Sequence, residues 1–269
     1  MSRIRDWIKR SPRRRRIALF AIRLFSPFAG LWNISALFRY FSFIADWYRF
    51  RQAGGKTELL ELHPCLFDKT SATAIDSHYF HQSIWAFKKI HASRTEKHVD
   101  IGSDTRFVGM LTCITAVTFI DLRPLKLNLE RYEGMEGSVL ALPFVDSSVM
   151  SVSCLHVIEH IGLGRYGDPI DPEGSLKASQ ELKRILAPGG YLYVSVPIGR
   201  RRVQFNSQRI FSIKDVLAMF SNLTLIELSI VNTDGEFYKN VVVTDVFLKE
   251  GYGLDYGLGM FVFSAPLRK

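Results

Sequence analysis

From about residue 97 onward the sequence alternates, and that alternation narrows the available folds more than any other feature. Short apolar runs rich in β-branched and aromatic residues occur at 98–102 (HVDIG), 116–122 (AVTFIDL), 149–158 (VMSVSCLHVI) and 191–199 (YLYVSVPIG). Between them lie segments with helical character. TRFVGMLTCI is one; SLKASQELKRIL is another, with Leu176, Leu182, Ile185 and Leu186 on one side and a stop at Pro188-Gly189-Gly190. Strands alternating with helices predict a mostly parallel sheet covered on both faces. In such a sheet ligands bind beyond the carboxyl ends of the strands, so the residues there are the candidates for function. After a predicted helix at 212–220 and a strand at 223–231, a long polar insertion leads to a closing strand, GLGMFVFSAP.

Composition supports a packed domain: 47% of residues are hydrophobic and 23% charged. The formal charge of +9 is unevenly placed. Residues 1–23 carry nine basic side chains, among them Arg13 to Arg16, against Asp6 alone, which leaves about +1 for the rest. A near-neutral domain behind a basic tail argues against specific nucleic-acid recognition; the tail alone supports only non-specific binding. Cys65, Cys113 and Cys154 form no CxxC pair, and Cys113 and Cys154 sit in apolar runs as reduced core thiols do. A cytoplasmic setting is expected.

The segment after the arginine run is rich in Phe, Trp, Leu and Ile, and 17–38 contains one charge. An interfacial helix on an anionic membrane surface, through residues 1–50, fits best and makes the protein peripheral on the cytoplasmic face. An amphipathic helix packed on protein and a spanning helix are the alternatives. The predicted organisation is therefore a basic amphipathic segment at 1–50, a helical lead-in at 51–94 and an α/β domain at 95–269. The histidines at 63, 78, 81, 91 and 98 form no ligand pattern and read as surface or cap residues.

Four landmarks in order carry a resemblance over about 170 residues. They are Asp100-Ile101-Gly102, Asp121 nineteen residues after Gly102, the stretch SVLALPFVDSSVMSVSCLHVIEHI, and LKRILAPGGYLYVSVP. Together they resemble class I S-adenosylmethionine-dependent methyltransferases, whose sheet ends in an antiparallel hairpin. The resemblance implies a Rossmann-like fold with an antiparallel C-terminal strand, behind an N-terminal basic, amphipathic helical extension. It also implies a cofactor site for S-adenosylmethionine built from Asp100, Gly102 and Ser103, from Asp121 and Leu122, from Ser138, Val139 and Leu140, and from His156. Asp121 would accept the ribose hydroxyls. The segments EHIGLGRYGDPIDPEG and VPIGRRRVQFNSQRIF look like a little-characterised methyltransferase-like family known as a domain of unknown function. Some bacterial members are associated with surface-polysaccharide synthesis, which implies a polar or saccharide acceptor.

The sequence departs from the family pattern at two glycines of the first loop, replaced by Asp104 and Arg106, and at Ser138, where an acid is common. Either Asp104 and Arg106 bond the amino and carboxylate groups of the cofactor, or the loop has lost it. His160 and His156 are the candidate catalytic bases, on one face if the piece is helical; alternatively His160 caps a turn and His156 only packs. Arg165, Tyr166 and Asp168, in a glycine-rich loop over the crevice, and Arg200, Arg201 and Asn206, after the 191–199 strand, are the candidate acceptor-binding residues. Asp168 and Asp171 with His160 form a conceivable metal set, but Asp-Pro steps commonly use Asp to bond local backbone, and no metal is assigned. Two functions remain: a methyltransferase acting on a polar small molecule or glycan, or a non-catalytic binding protein of the same fold.

Overall fold

The computed structural model describes residues 34–71, 73, 75–244 and 254–267, together with Ile17 and Ala21. The basic tail and most of the 17–38 candidate span lie outside the described residues. Among those described, no helix is long and apolar enough to cross a membrane. The chain divides into two compact units, Met1–Ala74 and Ile75–Lys269.

In the first unit, helix α1 (Ile34–Gln52) is followed by a single 3-10 turn at Leu59–Glu61. Ala36 is buried and Tyr40, Phe43 and Trp47 are half-buried, so this row forms the packed side of α1. Arg39 donates to the carbonyl of Leu66 (3.1 Å) and stands over the Phe67 ring, tying α1 to the segment that follows.

The second unit is built on one eight-stranded sheet. Its elements are α2 (Ser77–Ser93), β1 (Lys97–Ile101), α3 (Thr105–Leu111), β2 (Ala116–Asp121), β3 (Tyr132–Glu136), β4 (Val149–Leu155), α4 (Gly174–Ile185), β5 (Leu186–Gly199), β6 (Arg202–Gln204), β7 (Gln208–Ile210), α5 (Ile213–Met219), β8 (Thr224–Val231), β9 (Phe237–Tyr238) and β10 (Tyr256–Ser264). The strand order is β3-β2-β1-β4-β5-β10-β8-β9. Strands β1 to β5 pair in parallel, and β10 runs antiparallel between β5 and β8. The order in which successive strands are added therefore reverses between β1 and β4, which stay parallel, and a crevice opens there at the strands' carboxyl ends.

Both faces are covered, which is why β4, β5 and β10 are buried over most of their length without alternation. Ala178, Leu182 and Ile185 of α4, with Ile213, Val216 and Met219 of α5, close one face. Trp85, Ala86 and Ile90 of α2, with Phe107, Val108 and Leu111 of α3, close the other. Helix α2 thus belongs to the sandwich, and the unit begins at Ile75 rather than at 95. Polar contacts fix it: Ser195 of β5 donates to Gln82 (2.6 Å), and Trp85 and Lys89 both donate to Glu227 of β8. Leu176, expected on the buried side of α4, is exposed, and Ser175 and Ser179 are buried in that row instead. The helix ends at Ile185, and the Pro188-Gly189-Gly190 step lies inside β5. Cys113, expected in the core, is exposed, whereas Cys154 is buried.

Candidate active site

A cleft of about 460 Å³ opens at the carboxyl ends of β1, β2 and β4, a size suited to a nucleoside cofactor. Gly102 follows β1 with φ +68°, a left-handed value that favours glycine. A Cβ there would lie 3.2 Å from Val157 and 3.8 Å from Asp121 Oδ2, so a side chain would narrow the floor. At the end of β2, Asp121 Oδ1 accepts from the Arg123 amide (2.7 Å), which orients the carboxylate. Ser138 accepts from the Leu140 amide (3.2 Å) in the turn after β3, and Leu122, Ser138, Val139 and Leu140 form one side of the cleft.

Asp100 and Ser103, expected among the cofactor ligands, are buried beneath the cleft instead. Asp100 accepts from the Ser103 amide (3.1 Å) and from the Ser153 hydroxyl, and Ser103 Oγ accepts from the Leu155 amide (3.2 Å). This ties the Gly102 turn to β4. His98, read as a surface residue, is also buried, between Ser151 (2.7 Å) and Ser153 (2.8 Å). Ser153 spends its proton on Asp100, so it accepts from His98 Nε2–H, and His98 Nδ1 accepts from Ser151. Burial lowers the His98 imidazole to about 3 and raises the Asp100 carboxyl to about 6.

Neither Asp104 nor Arg106 lines the cleft. Asp104 caps α3 by accepting from the Arg106 amide (2.9 Å), and its carboxylate pairs with the Arg106 guanidinium (3.1 Å). The substituted loop positions satisfy a helix end and each other, leaving the floor beside Gly102 open.

The segment after β4 is a turn, not a helix, so His156 and His160 share no helical face. They flank a carboxylate instead. His156, at φ +57°, contacts Glu159 Oε1 through Nδ1 (2.6 Å), and His160 Nε2 stands 3.8 Å from the same oxygen. His160 Nδ1–H donates to the Ser207 carbonyl (2.7 Å). A carboxylate only accepts, so His156 carries its proton on Nδ1 and presents a lone pair at Nε2. Among the described residues, His156 Nε2 and Glu159 Oε2 are buried without a hydrogen-bond partner, as are Trp47 Nε1 and Thr115 Oγ1 away from the cleft. Helix α2 forms the roof: Tyr79 stacks on His156 (5.1 Å between ring centres) and His78 stands 5.9 Å away. Burial, helped by His156, lowers His78 to about 4; burial and the nearby Glu159 raise the Tyr79 phenol.

Tyr166 and Asp168 border the cleft. Asp168 is engaged locally, accepting from the amides of Gly162 (2.6 Å) and Tyr166 (3.3 Å). Arg165 lies against the Tyr166 ring and donates to Ser207 O (3.2 Å) rather than lining the cleft. Asp171 bonds Lys177 and the Glu173 amide. Arg200, Arg201 and Asn206 are not at the cleft either. Past Gly199 the chain turns into the β6–β7 hairpin, where Arg200 and Arg202 pair with Asp255 and Arg201 with Asp215. Arg209, buried under the glycine-rich loop, donates to the carbonyls of Ile161, Asp171 and Pro172 and to Ser175. Arg123, which lines the cleft, and Glu159, Tyr79 and His78, which surround the His156 ring, are the residues that sequence patterns did not single out.

Sheet order, terminal antiparallel strands and cleft define a protein with the class I methyltransferase fold. Residues 145–236 match a family model described as Caenorhabditis protein of unknown function, DUF268. Among solved structures, N-methyltransferase NodS from Bradyrhizobium japonicum is 13% identical, covering 71% of this chain and 98% of its own, with a TM-score of 0.50. The YcgJ protein from Bacillus subtilis is 13% identical over 70% of this chain and 100% of its own (TM-score 0.48). A SAM-dependent methyltransferase from Methanosarcina mazei is 14% identical over 67% and 98% (TM-score 0.44). No curated protein matches the sequence.

Proposed function

We propose that this protein is an S-adenosylmethionine-dependent methyltransferase acting on a hydroxyl of a polar small molecule or glycan. The observation that carries this reading is one cleft lined by Gly102, Asp121, Ser138 and His156, with the His156 Nε2 buried and unpartnered. Asp121 suits the ribose hydroxyls, and the bare Gly102 turn and the 138–140 backbone suit a flat nucleoside. When bound, S-adenosylmethionine supplies an activated methyl group. The chain's own residues then orient an acceptor and remove its proton. His156 Nε2 takes the hydroxyl proton, while Glu159, acting as a positioning residue at Nδ1, holds the ring and stabilises the imidazolium that forms. Tyr79 covers the ring and limits water. Tyr166 offers an aromatic edge for a sugar face, and a role in surface-polysaccharide synthesis is the setting that such an acceptor suits.

The alternative, a binding protein without turnover, draws on the loss of two loop glycines; the outward Asp104–Arg106 pair weakens it. Calorimetric titration of S-adenosylmethionine into the full chain, with Asp121→Ala as control, is the test. Losing charged hydrogen bonds of about 1.5–3 kcal/mol each predicts a Kd raised by on the order of tenfold to a hundredfold or more. No binding to folded wild-type protein would overturn the proposal.

A further inference from the structure

The apolar face of α1 is a feature that the proposed activity leaves unused. Leu37, Phe38, Phe41, Ile44 and Tyr48 are all exposed, Phe38 at 69% and Phe41 at 66%. At 100° per residue these positions fall on one stripe. The row that packs within the unit (Ala36, Tyr40, Phe43, Trp47) lies on a different side. The helix therefore has one apolar row satisfied by its own unit and a second facing outward. Contiguous exposed apolar surface of this kind marks an interaction site.

Charge selects the occupant. Residues 1–23 carry nine basic side chains and one acidic, and Arg49 and Arg51 close the last turn of α1. An apolar helical stripe behind a basic segment matches a surface with negative headgroups above an acyl boundary, where basic residues near the surface are attracted. A protein partner would need its own acidic apolar groove, whereas an anionic bilayer offers both properties at once. Among the described residues no helix is long and apolar enough to cross a membrane, so the matching geometry is a helix lying in the interface plane. We propose that α1 docks the protein on an anionic membrane surface, with Leu37, Phe38, Phe41, Ile44 and Tyr48 entering the acyl boundary. Acceptors carried on lipids would then be presented in the plane of that surface.

Co-sedimentation of the full chain with phosphatidylglycerol/phosphatidylcholine vesicles, and with phosphatidylcholine vesicles alone, tests this. Binding is expected to the mixed vesicles and much less to the neutral ones. It should weaken when salt rises from about 0.1 M to about 1 M, which shortens the Debye length from about 10 to about 3 Å. The double variant Phe38→Glu, Phe41→Glu should bind at least roughly tenfold more weakly, because both aromatic anchors are lost and two negative charges are added beside an anionic surface. Both side chains are exposed, so its circular dichroism and melting temperature should match wild type; a variant that loses its fold is replaced by Phe38→Ser, Phe41→Ser in the same assay. No wild-type binding, or binding that a folded variant retains in full, overturns the proposal. So does light scattering that shows a lipid-free dimer dissociated by the same substitutions, since the stripe would then belong to a second copy.

Discussion

Replacing Asp100 by Asn should alter stability by an amount that depends on pH, with a sign set by the buried series His98, Ser153, Asp100. Burial raises the Asp100 carboxyl from 3.8 to about 6, although Ser153 and Ser103 donate to it. A folded value above the unfolded one means that the folded state holds this proton more tightly. The stabilisation is complete below the unfolded value and is lost as pH rises towards about 6. His98 works in the opposite direction: burial lowers it from 6.5 to about 3, so its contribution is complete above 6.5 and is lost as pH falls towards 3. Where the two windows overlap, from about 3.8 to about 6, the slopes cancel, because folded and unfolded chains carry the same number of protons on this pair. Asp100→Asn removes one side of the balance. At about 1.4 kcal/mol per pH unit, the variant should lose about 2–3 kcal/mol relative to wild type on going from about pH 7 to about pH 4. Urea unfolding of both proteins at the two pH values reads this difference directly, and any constant structural cost of the substitution cancels. A wild-type-minus-variant difference that is equal at both pH values, or larger at the higher one, would refute the reasoning.

Three further outcomes follow from the same geometry. Nitrogen-15 NMR of the histidines should find His98 protonated on Nε2 and His156 on Nδ1, and a shared tautomer would contradict the assigned hydrogen bonds. Gly162 has φ +82° and a Cβ there would sit 2.0 Å from the Asp171 carbonyl, whereas Gly109 in α3 has open space. Gly162→Ala should therefore destabilise by about 2 kcal/mol or more, while Gly109→Ala should stabilise by about 0.5–1 kcal/mol, in thermal or urea unfolding. Arg209→Met strands the carbonyls of Ile161, Asp171 and Pro172. It should cost about 3 kcal/mol and expose the 162–172 loop to proteolysis, detected as faster limited cleavage there.

The strand–helix alternation, the closing strand and the positions of Gly102, Asp121 and Ser138 were legible in the sequence because each rests on local pattern, whereas the antiparallel sense of that strand came from the family resemblance. A strand must be apolar on both sides to sit between two helical layers, a turn at φ +68° favours glycine, and a strand's carboxyl end is reached by simple counting along the chain. What the tertiary structure decided depends on partners distant in sequence. The expected acceptor contacts of Arg200 and Arg201 gave way to surface ion pairs, since the start of β10 brings Asp255 and α5 brings Asp215 alongside. Asp104 and Arg106 turned to each other because a helix end and an opposite charge two residues away compete with any ligand. Helix α2 carries the periodicity of any amphipathic helix, so nothing local announces that Tyr79 will roof His156. His98 and Glu159 are polar residues that the sequence alone places on a surface; only the packed sheet shows that each is buried, and that the serines and imidazoles around them make that burial tolerable.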